Sequence, residues 1–147
     1  MNLKKILILG ASSDIGLNTI DLFLAHNWKV YAHYNKGSKK LTNLKKNYKN
    51  LNLIKLNFKN NKNIEKKVKK SFNHGYHSII NLIGYIDNKS FLNTKLKDTL
   101  EAISINALIP NIILRNNLGF MVKEKWGRIV NGSALGIPYG GGEYSFN

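Results

Sequence analysis

Seven consecutive residues near the start of the chain carry the clearest chemical signal: Gly10-Ala11-Ser12-Ser13-Asp14-Ile15-Gly16. They follow an apolar run ending at Leu9 and lead into a helical pattern. Gly10 permits a tight turn after a strand, and Gly16 permits a helix to pack close to that strand. The first amides of such a helix have no intrahelical acceptor, and the helix dipole favours an anion there. Ser12 and Ser13 add hydroxyl donors. The chemistry this suits is capture of a dinucleotide pyrophosphate, with Gly10, Ser12, Ser13, Ile15 and Gly16 as the expected holding residues. An ordinary βα turn can also carry two glycines. Position after the first strand of an alternating pattern is what favours the phosphate reading. Asp14 stands where the dinucleotide fingerprint has a further glycine, and it is a candidate N-cap for the helix. No Gly-Lys-Ser/Thr ending follows, which disfavours a P-loop nucleotidase.

Further along, Tyr34-Asn35-Lys36 ends a second apolar run. An acid at this point would accept the ribose 2′-hydroxyl of NAD and repel a 2′-phosphate. No acid occurs between Asp21 and Glu65. Asn35, Lys36 and Lys39 leave a neutral-to-positive pocket, so NADP(H) is expected over NAD(H). The competing account of these lysines is the general lysine excess of the chain. Asn57 ends a third run, and its side-chain oxygen could accept from an adenine amino group. Asn106 lies four residues before Pro110 in a helical stretch. Proline has no N–H, so the Asn106 carbonyl would lose its helical partner and could hold a water in a proton relay. The alternative is a packing kink in an apolar helix.

These residues need a scaffold, and the hydrophobic pattern supplies one. Strands are expected over Leu3–Leu9, Lys29–Tyr34, Leu51–Phe58, Ser78–Ile83 and Gly127–Asn131. The first is apolar at nearly every position, as in a strand buried on both faces. Helices are expected over Ile15–His26, Ser38–Tyr48 with Ser38 as cap, and Asn63–Asn73. A long apolar helix is expected from Lys97 to about Val122. Ile15, Ile20, Leu22, Phe23 and Ala25 should give the first helix its apolar cover. Residues from Gly132 onward read as loop. The alternation βαβαβαβαβ predicts a single α/β domain over residues 1–147: a doubly wound parallel sheet of the Rossmann type, about five strands flanked by helices. Ligands are then expected at the carboxyl ends of the strands.

Composition narrows the classes further. The chain has 147 residues, 43% of them hydrophobic, which suits a globular domain. It has no cysteine, which excludes disulfides and thiolate metal sites, and no metal site is expected. A reducing, cytoplasmic setting fits. The apolar run at the amino end is too short for a signal core, and no membrane span is expected. The net charge of +15 would suit a nucleic-acid partner. Only Arg115 and Arg128 among the 23 basic residues are arginine, and lysine and asparagine are abundant together. This favours a surface compositional drift over nucleic-acid binding.

Gly10–Gly16, then Asn81-Leu82-Ile83-Gly84, then Asn106, Ser133 and Tyr144 are spaced as in the short-chain dehydrogenase/reductase family, and the chain resembles it along essentially its whole length. The resemblance is closest to reductases of the 3-oxoacyl-acyl-carrier-protein type. It implies hydride transfer between NAD(P)H and a small carbonyl or alcohol substrate. It places Asn81 and Gly84 in the cofactor site, with Leu82 and Ile83 departing from the family's Asn-Asn-Ala-Gly. It makes Ser133 and Tyr144 catalytic, with Asn106 in the relay. A tyrosine phenol can protonate the carbonyl oxygen while a serine hydroxyl donates a hydrogen bond to it. Tyr139 is a rival position, less well spaced.

The family pattern also asks for a lysine four residues after the tyrosine, one place beyond Asn147. The expectation is therefore an amino-terminal fragment, marginally stable or aggregation-prone and nearly inactive, with its fifth strand an open edge and the apolar face of Ala102–Leu114 uncovered. The full-length form is expected to be a homo-oligomer. Two other readings stay open: a nucleotide-sugar epimerase or dehydratase of the same fold, and a non-catalytic nucleotide- or nucleic-acid-binding module.

Overall fold

The computed structural model describes residues 3–59, 62–86 and 89–133. Five parallel strands form one sheet: β1 (Lys5–Leu9), β2 (Lys29–Tyr34), β3 (Leu51–Lys55), β4 (Ser78–Asn81) and β5 (Arg128–Asn131). Their order is β3-β2-β1-β4-β5, with β1 pairing Lys5 with Lys29 on one side and Ile6 with Ser78 on the other. The chain leaves β1 toward β2 and returns on β1's other side as β4, so the order reverses between β1 and β4. In open parallel sheets that reversal opens a crevice at the carboxyl ends of the strands.

Side chains of β1 alternate between two cores. Leu7 and Leu9 join Val68, Phe72, Ile105, Ile109, Ile113 and Met121 on one face. Ile6 and Ile8 join Ile20, Leu24 and Leu41 on the other. The first core lies under α3 (Ile64–Ser71) and α5 (Ile109–Lys123), the latter preceded by α4 (Leu96–Ile103); the second lies under α1 (Asp14–Ala25) and α2 (Ser38–Asn47). Helices on both faces make the sheet doubly wound, as the alternation predicts.

Four local expectations are corrected. The N-cap of α1 is Ser13, whose Oγ accepts from Gly16 N at 3.1 Å, and Asp14 is the first helical residue. Ile15 and Leu22 are 68% and 57% exposed, and Ala25 is exposed too. The inward stripe of α1 is Gly16, Ile20 and Leu24, four residues apart, so an apolar residue off that stripe faces solvent. Gly37, at φ +73°, holds the cap position of α2, and Ser38 begins the helix. The long helix is not uniform: a π turn over Ser104–Leu108 separates α4 from α5, with Ile109 N donating to Ser104 O. The wider turn absorbs the conflict set by Pro110, which then sits in the first turn of α5 where its missing N–H does no harm.

Candidate dinucleotide-binding cleft

At the end of β1 the chain turns through Gly10 at φ +76°. A Cβ there would lie 2.8 Å from Leu82 O and 3.0 Å from Leu82 C, so both conformation and space demand glycine. Gly16 is equally constrained: a Cβ would come within 2.7 Å of the Ala11 backbone, which lets α1 sit directly on the turn. Ser13 N and Oγ both donate to Gly10 O, at 3.2 and 3.0 Å. The turn is therefore built by its own serine, before any ligand is considered.

Around it lies a cleft of about 560 Å³ walled by Gly10, Ser12, Ser13, Asn35, Lys36 and Asn57 together with Gly84 and Tyr85. Ile15 and Gly16 do not line it. Ile15 points to solvent, and Gly16 acts through packing. His33, Leu56, Phe58 and Lys59 complete the wall; the sequence reading did not single them out. Their signal was present only as strand ends two and three, which the fold brings side by side.

Three of the wall groups carry distinct electrostatics. Asn57 Oδ1 accepts from Lys59 N at 2.9 Å, which fixes the turn leaving β3. Lys59 Nζ donates to Tyr85 OH at 3.1 Å and pairs with Glu101 at 3.1 Å; the hydrogen bond to Tyr85, then that to Glu101, pushes its pKa up to about 12. Tyr85 OH also donates to Glu101 at 3.3 Å. His33 is 3% exposed, and burial pushes its pKa down to about 4.

A second cleft of about 380 Å³ shares Ile83, Gly84 and Tyr85 with the first. Its far wall brings Asn106, Asn111, Asn131 and Ser133 together beside Asn81. Asn81 is a structural knot: its Oδ1 accepts from Ile83 N at 3.2 Å, and its Nδ2 donates to Asn131 Oδ1 at 3.4 Å. The Asn106 side chain grips the Tyr85 backbone, accepting from Tyr85 N and donating to Tyr85 O, each at 2.8 Å. That grip fixes the segment dividing the two clefts. A Cβ on Gly84, in the same segment, would meet nothing within 4 Å, so this glycine leaves the junction open. Tyr144, and its rival Tyr139, lie outside the described residues. Among the described residues no cluster of three or more His, Asp or Glu could hold a metal. No helix among them is long and apolar enough to cross a membrane.

Fold and cleft together define an α/β protein of the Rossmann type, with its binding crevice at the strand reversal. The comparisons with known proteins are specific. The family model described as short chain dehydrogenase matches residues 4–143, and the chain belongs to that family. The 3-oxoacyl-acyl-carrier-protein reductase FabG of Aquifex aeolicus is 31% identical over 77 residues, which cover 48% of this chain and 31% of that protein. Among solved structures, NADPH-bound carbonyl reductase from chicken fatty liver superposes with a TM-score of 0.77 at 20% identity, over 92% of this chain and 59% of that one. ElxO with NADP bound gives 0.75 at 24% identity, over 97% and 60%. A putative betaketoacyl-ACP reductase gives 0.80 at 16% identity, over 98% and 60%. At these identities the structures establish the shared fold, and the chain spans about 60% of their length.

Proposed function

We propose that the larger cleft binds NADP(H), and that the protein carrying this chain transfers hydride between that cofactor and a small carbonyl or alcohol substrate. The observation that carries the reading is the meeting of the two clefts at Ile83–Tyr85. One holds the glycine turn, and the other holds Asn106 and Ser133. The residues present fit a dinucleotide: Gly10 leaves no Cβ at the turn, and the junction at Gly84 is open. Helix α1 begins at this turn, and the amides of its first turn, apart from Gly16 N, which Ser13 takes, would be available to a phosphate. Lys36 and Asn35 line the wall where an acid would select NAD.

The cofactor supplies the hydride. The chain's own residues then orient and protonate. Ser133 donates a hydrogen bond to the substrate oxygen as charge develops there. Tyr144 is the proton donor. The side chain of Asn106 is committed to Tyr85, so its contribution to a relay is the main-chain carbonyl beside Pro110. Exposed Leu100, Ile103 and Leu108 support a homo-oligomer. A chain without cysteine suits the cytoplasm.

Titration of the purified chain with NADP⁺ and NAD⁺ tests the cofactor reading. NADP⁺ should bind about tenfold or more tightly, and Lys36→Glu should erase the difference. Tighter NAD⁺ binding would overturn the preference, and binding of neither would overturn the site.

A further inference from the structure

We propose that His33 is a positioning residue for the glycine turn, held as the neutral imidazole with its proton on Nε2, and that it ties the turn to the end of β3. The proposal deepens the dinucleotide reading and rests on it only for the binding consequence.

The geometry sets the tautomer. His33 Nε2 lies 2.9 Å from Leu56 O, and a carbonyl can only accept, so Nε2 carries the proton. That leaves Nδ1 with a lone pair. Gly10 N lies 3.4 Å from Nδ1 and donates to it. The His33 main chain holds the next residue, with Ala11 N donating to His33 O at 2.8 Å. One residue thus takes two successive amides of the turn.

The other side of Gly10 is also fixed, since its carbonyl accepts from Ser13 and the space where a Cβ would stand is closed by the Leu82 backbone. The Gly10–Ala11 peptide is held by the His33 main-chain carbonyl on its N–H side and by Ser13 on its C=O side, and the peptide before it by the His33 ring. No slack is left for the turn to rotate.

The ring itself is locked. It stacks on Phe58 at 4.5 Å and 7°, with Phe72 edge-on at 5.6 Å. The ring meets Gly10, Leu56, Phe58 and Phe72, from the turn, the β3 exit and the residue that ends α3, and none of these titrates; Lys36 and Lys59 are the charged groups lining the same cleft. A second ring proton would put an Nδ1–H against the Gly10 N–H, with no acceptor between them. The apolar wall and the two backbone groups therefore favour the neutral form, in line with the low pKa that burial imposes. His33 also lines the larger cleft beside Phe58 and Asn57, so the same ring serves the turn and the wall expected to meet the adenosine half.

The test compares the chain with His33→Asn, which keeps an acceptor near the δ position, and His33→Phe, which keeps the stack alone. Two readouts on labelled protein are independent of any ligand: the ring nitrogen shifts, which report the tautomer, and hydrogen exchange at the Gly10 amide. The expected result is an Nε2–H tautomer and a protected Gly10 amide. That amide should exchange at least about tenfold faster in His33→Phe and regain protection in His33→Asn. NADP⁺ affinity should follow the same order. It should also fall in the parent chain below pH 5, relative to His33→Asn measured at the same pH. An Nδ1–H tautomer, or a Gly10 amide equally protected in all three chains, would overturn the proposal. If His33→Phe does not fold, the tautomer and the His33→Asn pH profile still decide. A protected, His33-dependent Gly10 amide in a chain that binds no dinucleotide would support the positioning role and overturn the cofactor reading.

Discussion

The two halves of the sheet are built to different degrees. On the β1–β2 side, Ile6 through Leu9 have no exposure, Val30 and Ala32 have none, and Tyr31 has 8%. On the β4–β5 side, β4 is still covered, with Ile79 at no exposure, but every residue of β5 is exposed, with Ile129 at 42% and Val130 at 51%. Both halves use β-branched and apolar side chains in parallel pairing, so the difference is cover and not strand chemistry. The covered half carries the glycine turn, whose geometry is over-determined by Ser13, His33 and Leu82. The open half carries Ser133, at the exposed rim of the second cleft. Holding a ligand asks for a rigid turn within a complete core, and that part stands within the described residues.

Substitutions in the covered half should therefore be the most damaging. Ile8→Ala removes a fully buried side chain from the second core and should destabilise the chain by roughly 2–5 kcal/mol in denaturant unfolding. A loss under 1 kcal/mol would mean the covered half is not packed as described. Acid should act next, through His33. Its pKa is about 6.5 when unfolded and about 4 when folded, so the folded state binds fewer protons between those values. Its contribution is complete above pH 6.5 and is lost as pH falls toward 4, a difference of about 3 kcal/mol. Unfolding curves from pH 7 to 4 should show this slope, and His33→Asn should remove the His33 share, leaving that of His77, which burial also lowers. A parent chain no steeper in pH than the variant would contradict the buried neutral ring.

The covered half was also the more legible one. The run Ile6–Leu9 announces a strand buried on both faces because no position alternates to polar. Gly10 and Gly16 announce a turn because no other residue tolerates those contacts. Period-based reading failed where a stripe is narrow, as at Ile15 and Leu22. It failed again where two local rules competed, as at Pro110: the apolar pattern favours a continuous helix, the proline forbids one, and the π turn resolves the conflict. His33 was illegible for another reason. Nothing in Tyr31-Ala32-His33-Tyr34 marks the histidine, because both of its ring partners, Gly10 and Leu56, lie 23 residues away in the sequence. Asn106 was legible as a special position through Pro110, but its grip on Tyr85 depends on a residue 21 positions earlier.

A smaller effect should separate capping from packing within the turn. Ser13→Ala removes the oxygen that accepts from Gly16 N and the hydroxyl that donates to Gly10 O, which should reduce stability by about 1 kcal/mol. If the turn is as constrained as Gly10 implies, NADP⁺ affinity should fall further than this capping loss alone explains. Equal losses in the two measurements would reduce Ser13 to a helix cap.

The smallest effect belongs to the open half and closes the comparison with Ile8. Ile129→Ala deletes the same atoms as Ile8→Ala, from a strand of the same sheet. Ile129 pairs with Ile79 through backbone hydrogen bonds, which the substitution leaves in place. Its side chain is 42% exposed, so less apolar burial is lost than at Ile8 and no enclosed cavity forms. The expected change in unfolding free energy is below about 1 kcal/mol. A loss approaching that of Ile8→Ala would show that β5 is covered in solution as fully as β1. The contrast between the halves would then fail, and the rim that carries Ser133 would be held as firmly as the glycine turn.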